Sequence, residues 1–412
     1  MSLQSRGVAV RIVVLGGAGA MGQVAVRDLA ESQPVSEVVI ADASLERAER
    51  VKRLIGSAKI KTALVDLNNK AGLVTVLKGA VVVINSTPYQ FNVAVMEAAL
   101  EAGCNYVDLG GLFHVTRTQL ELDKRFKDKN LLAVPGMGAA PGMTNVMAAH
   151  AASELDSIES IDMIVAGVDF NKSSHPFLPP YALDTILDEY ALEPMVFEDG
   201  RFQAKPPMSG ESYVDLPQPV GRVQAFLTLH SEIATLPLSY QSRGIRGATY
   251  KLGLPAEFHE RAKFLVELGF GATKELKVDD VSVKPRRMLA KLIESHDVAV
   301  AEPDDCEVIR VDVKGSRSGR QTLVRMESIV NSRSDWKVSC GALDTGVPPS
   351  IVAQMIGLQV IKQTGVVAPE LCVSPKLFFL ELAKRAIPMR KLIDETLTSS
   401  TVLAEKSTTV PA

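Results

Sequence analysis

The stretch from Arg11 to Gly22, Arg-Ile-Val-Val-Leu-Gly-Gly-Ala-Gly-Ala-Met-Gly, constrains this chain more than any other. Ile12 to Leu15 read as a buried strand and run straight into Gly17-x-Gly19-x-x-Gly22, after which Val24, Ala25 and Leu29 fall at helical spacing. Glycine-rich turns are common, but a strand, this glycine spacing and a helix in succession are the setting that dinucleotide binding requires. Gly17 is expected to make the tight turn, Gly19 to let a pyrophosphate approach the backbone, and Gly22 to let helix and strand close together. Ala18, Ala20 and Met21 complete the turn, where the helix N-terminus offers free N–H groups and a positive dipole end to phosphates.

The first 145 residues keep a strand–helix rhythm, which indicates an α/β class with a parallel sheet. Val38 to Ala41 form a second strand ending at Asp42, and Lys61 to Leu67 a third carrying Asp66. Ala80 to Ile84 open into Asn85-Ser-Thr-Pro-Tyr89, and Tyr106 to Leu109 and Leu131 to Val134 complete the set. Ligands of such sheets lie beyond the carboxyl ends of the strands. That rule gathers Asp42, Asp66, Ser86, Thr87, Pro88, Asp108 and Asn145 around the cofactor. A carboxylate at Asp42 accepts ribose hydroxyls and repels a 2′-phosphate, so NAD is expected in preference to NADP; Arg47 is the residue that would instead meet a phosphate. Asn145 closes a loop, Pro135 to Asn145, with two Pro-Gly pairs, and either caps the next helix or contacts the cofactor.

After Glu154 the pattern turns antiparallel. Ile161 to Phe170 and Arg222 to Pro237 are extended apolar runs, and Ile309, Val311 and Val313 alternate on one face of a strand paired through a Gly315–Gly319 turn with Gln321 to Ile329. Helices are expected at 45–54, 145–154, 256–268, 285–295, 350–363, 374–386 and 389–397. With 412 residues the chain exceeds a single core. The expected division is a dinucleotide-binding (Rossmann-type) domain at 1–145 and an α+β domain with a large antiparallel sheet at 146–344. Helical patterns resume over 345–398, and a disordered tail is expected at 399–412. A net charge of −3 gives no reason to expect nucleic acid or an anionic membrane. Four scattered cysteines suggest reduced thiols and no metal site, and the absence of a signal-like apolar core or an 18-residue apolar run suggests a cytoplasmic protein.

The chain resembles the saccharopine dehydrogenase-like oxidoreductases, and within them the lysine 6-dehydrogenase branch. The resemblance is carried by the glycine fingerprint, Asn85-Ser-Thr-Pro-Tyr89-x-Phe91-Asn92 and Asn105-Tyr-Val-Asp108-Leu-Gly-Gly111. It continues through the Pro135–Asn145 loop, Asp188-Glu-Tyr190 with Asp199-Gly200, Thr228-Leu-His-Ser-Glu-Ile-Ala-Thr-Leu-Pro237 and Gly365-Val-Val-Ala-Pro-Glu370. These span roughly Arg11 to Glu370. The resemblance implies that the helices at 345–398 return to the dinucleotide-binding domain, that the middle sheet forms the substrate cleft and the surface of a homodimer, and that the reaction is NAD-dependent oxidation of the side-chain amine of a lysine-like substrate.

The chemistry sets its own demands. Hydride leaves a carbon next to nitrogen only when that nitrogen is neutral, so a general base must take its proton and water must be activated for imine hydrolysis. Asp108 and the pair His230 and Glu232 are the candidates, with His230 placed within a long antiparallel strand. Arg243 and Arg246 suit a substrate carboxylate, since guanidinium meets carboxylate bidentately; Tyr89, Lys172 and His175 are weaker candidates. One rival reading is an enzyme of the saccharopine- or carboxynorspermidine-forming type, acting on an amino acid or polyamine with NADPH. A catalytically silent nucleotide-binding regulator is the other.

Overall fold

The computed structural model describes residues 10–171, 177–296 and 302–396, so Lys172, His175 and the expected tail at 399–412 lie outside the described residues. Strands β1 (Val10–Leu15), β2 (Val35–Asp42), β3 (Ile60–Leu64), β4 (Val82–Asn85), β5 (Asn105–Asp108) and β6 (Leu132–Val134) form a parallel sheet in the order β3-β2-β1-β4-β5-β6. Both faces are covered. Ile12 and Val14 pack into one apolar cluster and Val13 and Leu15 into another, which is why these strands are continuous apolar runs. The strand order reverses between β1 and β4, and the crevice there is where such sheets take ligands. β3 stops at Leu64, short of the expected Leu67, because Asp66 turns the chain by accepting the Asn68 N–H at 2.9 Å.

The second sheet is built from β7 (Ser157–Asp169), β8 (Met195–Glu198), β9 (Arg201–Ala204), β10 (Ser212–Asp215), β11 (Arg222–Leu227) and β12 (Gly247–Gly253). β13 (Leu276–Val278) and β14 (Val281–Val283) make a separate hairpin, and β15 (Asp305–Arg317) with β16 (Arg320–Asn331) return to the large sheet. Its path is β10-β11-β12-β7-β15-β16, with the β8–β9 hairpin on β12. All pairs are antiparallel except β12 with β7, so the sheet is mixed, not purely antiparallel. Ile309, Val311 and Val313 are fully buried on one face, as their alternation requires.

The chain then goes back to the first sheet. A helix, Cys340–Gly357, packs on the helix Ala20–Glu31 and on β1, β4 and β5, and β17 (Gly365–Val366) adds in parallel to β6. This helix starts well before the expected Ser350 and runs through Pro348 and Pro349. Ser339 caps it by accepting the Ala342 N–H at 3.2 Å, and nearly continuous burial outweighs the two missing N–H donors. The expected helix at 389–397 is instead strand β18 (Arg390–Thr396), paired with β16. The open edge of β16 supplies backbone partners there, and pairing decides what local propensity does not. One apolar core joins the sheets: Val14, Ile84 and Val107 of the first, Met163, Val165 and Val311 of the second, with Met147 and Val347 from the two helices between.

Candidate active site

At the nucleotide end the backbone makes the site. Gly16, not Gly17, takes the left-handed conformation, with φ 67°. Gly17 is needed for space, since a Cβ there would lie 2.9 Å from the Val14 carbonyl oxygen. At Gly22 a Cβ would come within 2.3 Å of the Gly16 oxygen, so glycine alone lets the helix close on the turn. The helix begins at Ala20 with Gly19 as N-cap and no acidic side chain in its first turn. Its free N–H groups therefore fit an anionic pyrophosphate. Asp42 ends β2 and accepts the N–H groups of Ala18 at 3.2 Å and Ser44 at 3.1 Å, while Arg47 donates to the Ala18 oxygen at 3.2 Å. Carboxylate and guanidinium thus flank the same turn.

Other expected cofactor residues divide. The Ser86 N–H donates to the Leu15 oxygen, and Thr87 Oγ1 donates to Asn85 Oδ1 at 2.6 Å, so this loop lies beside the glycine turn with Pro88 exposed. Asp66 is exposed and occupied by its own turn. Asn145 is buried: it accepts the Gly142 N–H at 3.0 Å and donates to Glu370 at 2.8 Å and Thr235 at 3.2 Å. It therefore caps its helix and ties the Pro-Gly loop to two distant segments. Asp108 is fully buried and accepts from Tyr106, Gln119 and the N–H groups of Gly110 and Gly136, at 2.6–2.8 Å. Burial pushes its carboxyl up despite these donors. With every acceptor direction taken, Asp108 clamps the loops after β5 and β6 together and presents nothing to a substrate, contrary to its expected part as base.

The proton-handling groups gather around His230. The expected strand from Arg222 to Pro237 stops at Leu227; a turn follows, and a helix, Glu232–Ser239, begins one residue after Ser231. Composition misled here, because Ile233, Leu236 and Pro237 are apolar without alternation and all buried. The tight turn brings Glu232 Oε2 to 2.6 Å from His230 Nδ1, and Thr144 Oγ1 donates to the other Glu232 oxygen at 2.8 Å. The imidazole stacks on Tyr250 with ring centres 3.7 Å apart. Its Nε2 lies 3.8 Å from Glu189 Oε1, too far for a hydrogen bond, and Tyr181 holds the other Glu189 oxygen.

Burial pulls the His230 imidazolium down, but the charges of Glu232 and Glu189 and the Glu232 hydrogen bond outweigh it and leave its pKa raised. Burial pushes Glu189 up to about 7 although His230 and Tyr181 oppose it. Glu189, which gives up its proton near neutrality, thus faces an imidazole of raised pKa across a short gap. The loop after β5 reaches this cluster, since a Cβ at Gly110 would lie 3.4 Å from Ser231 Oγ.

Neither expected carboxylate clamp is here. Arg243 lies in a one-turn helix (Gln241–Arg243) and donates to the backbone oxygens of Ala152 at 3.0 Å and of Leu155, closing the end of the helix Met143–Ala152. Arg246 is exposed and pairs with Asp199 at 3.2 Å. Gly244, with φ 89°, turns the chain between the two arginines. Tyr89 donates to Asp188 at 2.7 Å, and Arg286 pairs with the other Asp188 oxygen at 2.6 Å. Sequence reasoning missed Glu189, Tyr181 and Tyr250. One signal was present: Asp188-Glu189 sits within the apolar stretch of the helix Leu183–Ala191, and both charged residues are buried there.

Over residues 12–134 the chain matches the family pattern described as saccharopine dehydrogenase NADP binding domain, and over 138–387 the saccharopine dehydrogenase C-terminal domain. It is 25% identical to a carboxyaminopropylagmatine dehydrogenase of Synechocystis, covering 93% of this chain and 98% of that protein. It is 24% identical to a carboxynorspermidine synthase of Vibrio cholerae, over 67% of this chain and 71% of that one. In fold it is similar to saccharopine dehydrogenase (L-Glu forming) from Saccharomyces cerevisiae, with TM-score 0.72, 16% identity and coverage of 93% and 100%. It is similar too to a homospermidine synthase from Legionella pneumophila solved with NAD, with TM-score 0.64, 14% identity and coverage of 94% and 91%.

Proposed function

The chain belongs to the saccharopine dehydrogenase family of NAD(P)-dependent oxidoreductases, and from that premise we propose that it forms or cleaves a secondary amine, with a polyamine-type amine as one partner. The observation that carries this reading is the His230 cluster: an imidazole fixed through Nδ1 by Glu232 at 2.6 Å, with Nε2 open toward Glu189. Joining an amine to an aldehyde needs acid to expel the carbinolamine hydroxyl as water. The reverse needs base to take the amine proton and to activate water on the imine. In this reading His230 Nε2 gives and takes that proton, Glu232 holds the ring, and Glu189 is the second proton carrier. When bound, the nicotinamide supplies the hydride to the imine carbon or accepts it from the amine carbon. Among its own residues, Tyr250, which is buried, and Tyr181, which is half-buried, wall the site from water.

Lysine deamination was the expected activity, and it loses its anchors because Arg243 and Arg246 are engaged elsewhere. The cluster is instead rich in carboxylates, and the two relatives are named for carboxyaminopropylagmatine and carboxynorspermidine, both polyamine-type compounds. For the cofactor, Asp42 at the ribose position favours NAD in our reading, with Arg47 the group that would admit NADP. The direct test is to follow NADH and NADPH absorbance with agmatine, putrescine or 1,3-diaminopropane plus a carboxylated short aldehyde, against lysine with NAD. Consumption of reduced cofactor only when amine and aldehyde are both present supports the reading. Turnover of lysine alone, with no amine–aldehyde coupling, overturns it.

A further inference from the structure

Glu307 and Asp344 stand out once the site is drawn. In the sheet register Glu307 pairs with Gly167, Val311 with Met163, and Tyr250 with Met163. Positions two apart share a face, so Glu307 points from the same face as Tyr250. Gly167 lies directly beside it, since a Cβ there would be 3.7 Å from Glu307 Cβ and 3.3 Å from the Cys306 oxygen. Asp344 comes from the first turns of the helix Cys340–Gly357, whose start is pinned to β15 by the Cys340 N–H on Asp305 at 2.9 Å. Its neighbour Thr345 lies against the Pro-Gly loop, its methyl 3.2 Å from a Cβ at Gly138. Asp344 is therefore set between the sheet face and the loops of the first domain.

Asp344 is fully buried, and neither of its oxygens receives a hydrogen bond. Every other buried carboxylate among the described residues has a donor: Asp28 from Ser350 and Arg385, Glu327 from Arg310, Glu370 from Ser239, and the rest likewise. Leaving a buried acid unpaired is costly, and such a group is retained where a ligand completes it. Among the described residues no cation acts on either carboxyl, and the buried arginines Arg310 and Arg286 are engaged with Glu327 and Asp188.

We propose that Glu307 and Asp344 form the subsite for a second cationic group of the substrate, a distal ammonium or guanidinium, across Tyr250 from His230. The proposal rests on the secondary-amine reading for the reacting end, and adds what holds the far end. Burial pushes both carboxyls up, and Glu307 pushes Asp344 up further while Asp344 draws Glu307 down, so the two acids act on each other with no cation between them.

The test uses the full chain loaded with NAD(H), with agmatine and putrescine as dicationic probes and n-butylamine as the monocationic control. Asp344→Asn should raise KM and the calorimetric Kd of both dications about ten- to hundred-fold, the size of one charge-assisted hydrogen bond, while butylamine and cofactor binding hold. Glu307→Gln should do the same and serves if Asp344→Asn fails to fold. Equal changes for dications and butylamine, or none, overturn the subsite. Absence of amine turnover in the wild type would overturn the reaction reading alone, because Asp344-dependent binding of agmatine is measured without turnover.

Discussion

The two ends of the candidate site are made from different material. At the nucleotide end the contacts are backbone: Gly16, Gly17 and Gly22 are fixed by clearances of 2.3–2.9 Å, and the phosphate position is a helix start. At the amine end they are side chains from four separate segments: Thr144, Glu189, His230 with Glu232, and Tyr250. The first fails by sterics and takes cofactor affinity with it; the second fails by protonation and takes turnover. Substitutions at the two ends should therefore separate binding from rate.

The largest effect is expected at His230. His230→Gln should lower kcat about 10²–10⁴-fold, the usual worth of general acid–base catalysis, with cofactor Kd unchanged by fluorescence titration. A variant that loses cofactor binding too would break the division. Gly22→Ala is its counterpart. Pressing a methyl onto the Gly16 oxygen should cost about 1–3 kcal/mol, read as a raised cofactor Kd with kcat at saturation nearly intact. Asp42→Ser comes next: NAD affinity should fall about ten-fold, one charge-assisted hydrogen bond's worth, and discrimination against NADP should narrow in a direct competition. Arg243→Gln and Arg246→Gln should leave KM within about two-fold. Only Arg243→Gln should lower Tm, since it alone covers helix carbonyls, an effect on the order of 1 kcal/mol.

That contrast also explains what the sequence made legible. The fingerprint, Asp42 and the β1–β6 strands are local patterns, so strand, turn and helix could be read in one window. His230 and Glu232 were legible as a pair because only Ser231 stands between them, though the strand around them was misplaced. Glu189, Tyr181 and Tyr250 lie far away in sequence, and only the β12–β7 pairing and the packing of the helix Leu183–Ala191 bring them to the imidazole. Asp108 looked reactive, and Asn145 open to cap or cofactor, because strand ends and glycines surround them; their burial with full sets of partners makes them joints between loops. The arginines failed for a similar reason, since nothing in a sequence says which carbonyl a guanidinium will cover. β18 was read as helix because its partner β16 lies some sixty residues upstream.

The measurement that bears most directly on the central claim is the pH dependence of kcat/KM for amine oxidation, in the wild type and in Glu232→Gln. His230 must be neutral to accept a proton, and its pKa is raised above the ordinary 6.5 by Glu232 and Glu189 against the pull of burial. The wild-type profile should therefore rise with pH through a midpoint above 6.5 and level off beyond it. Removing the Glu232 charge should move that midpoint to lower pH and reduce the plateau, while cofactor Kd stays fixed. A midpoint that does not move in Glu232→Gln, at an unchanged plateau, would mean that His230 is not the group whose proton the reaction uses.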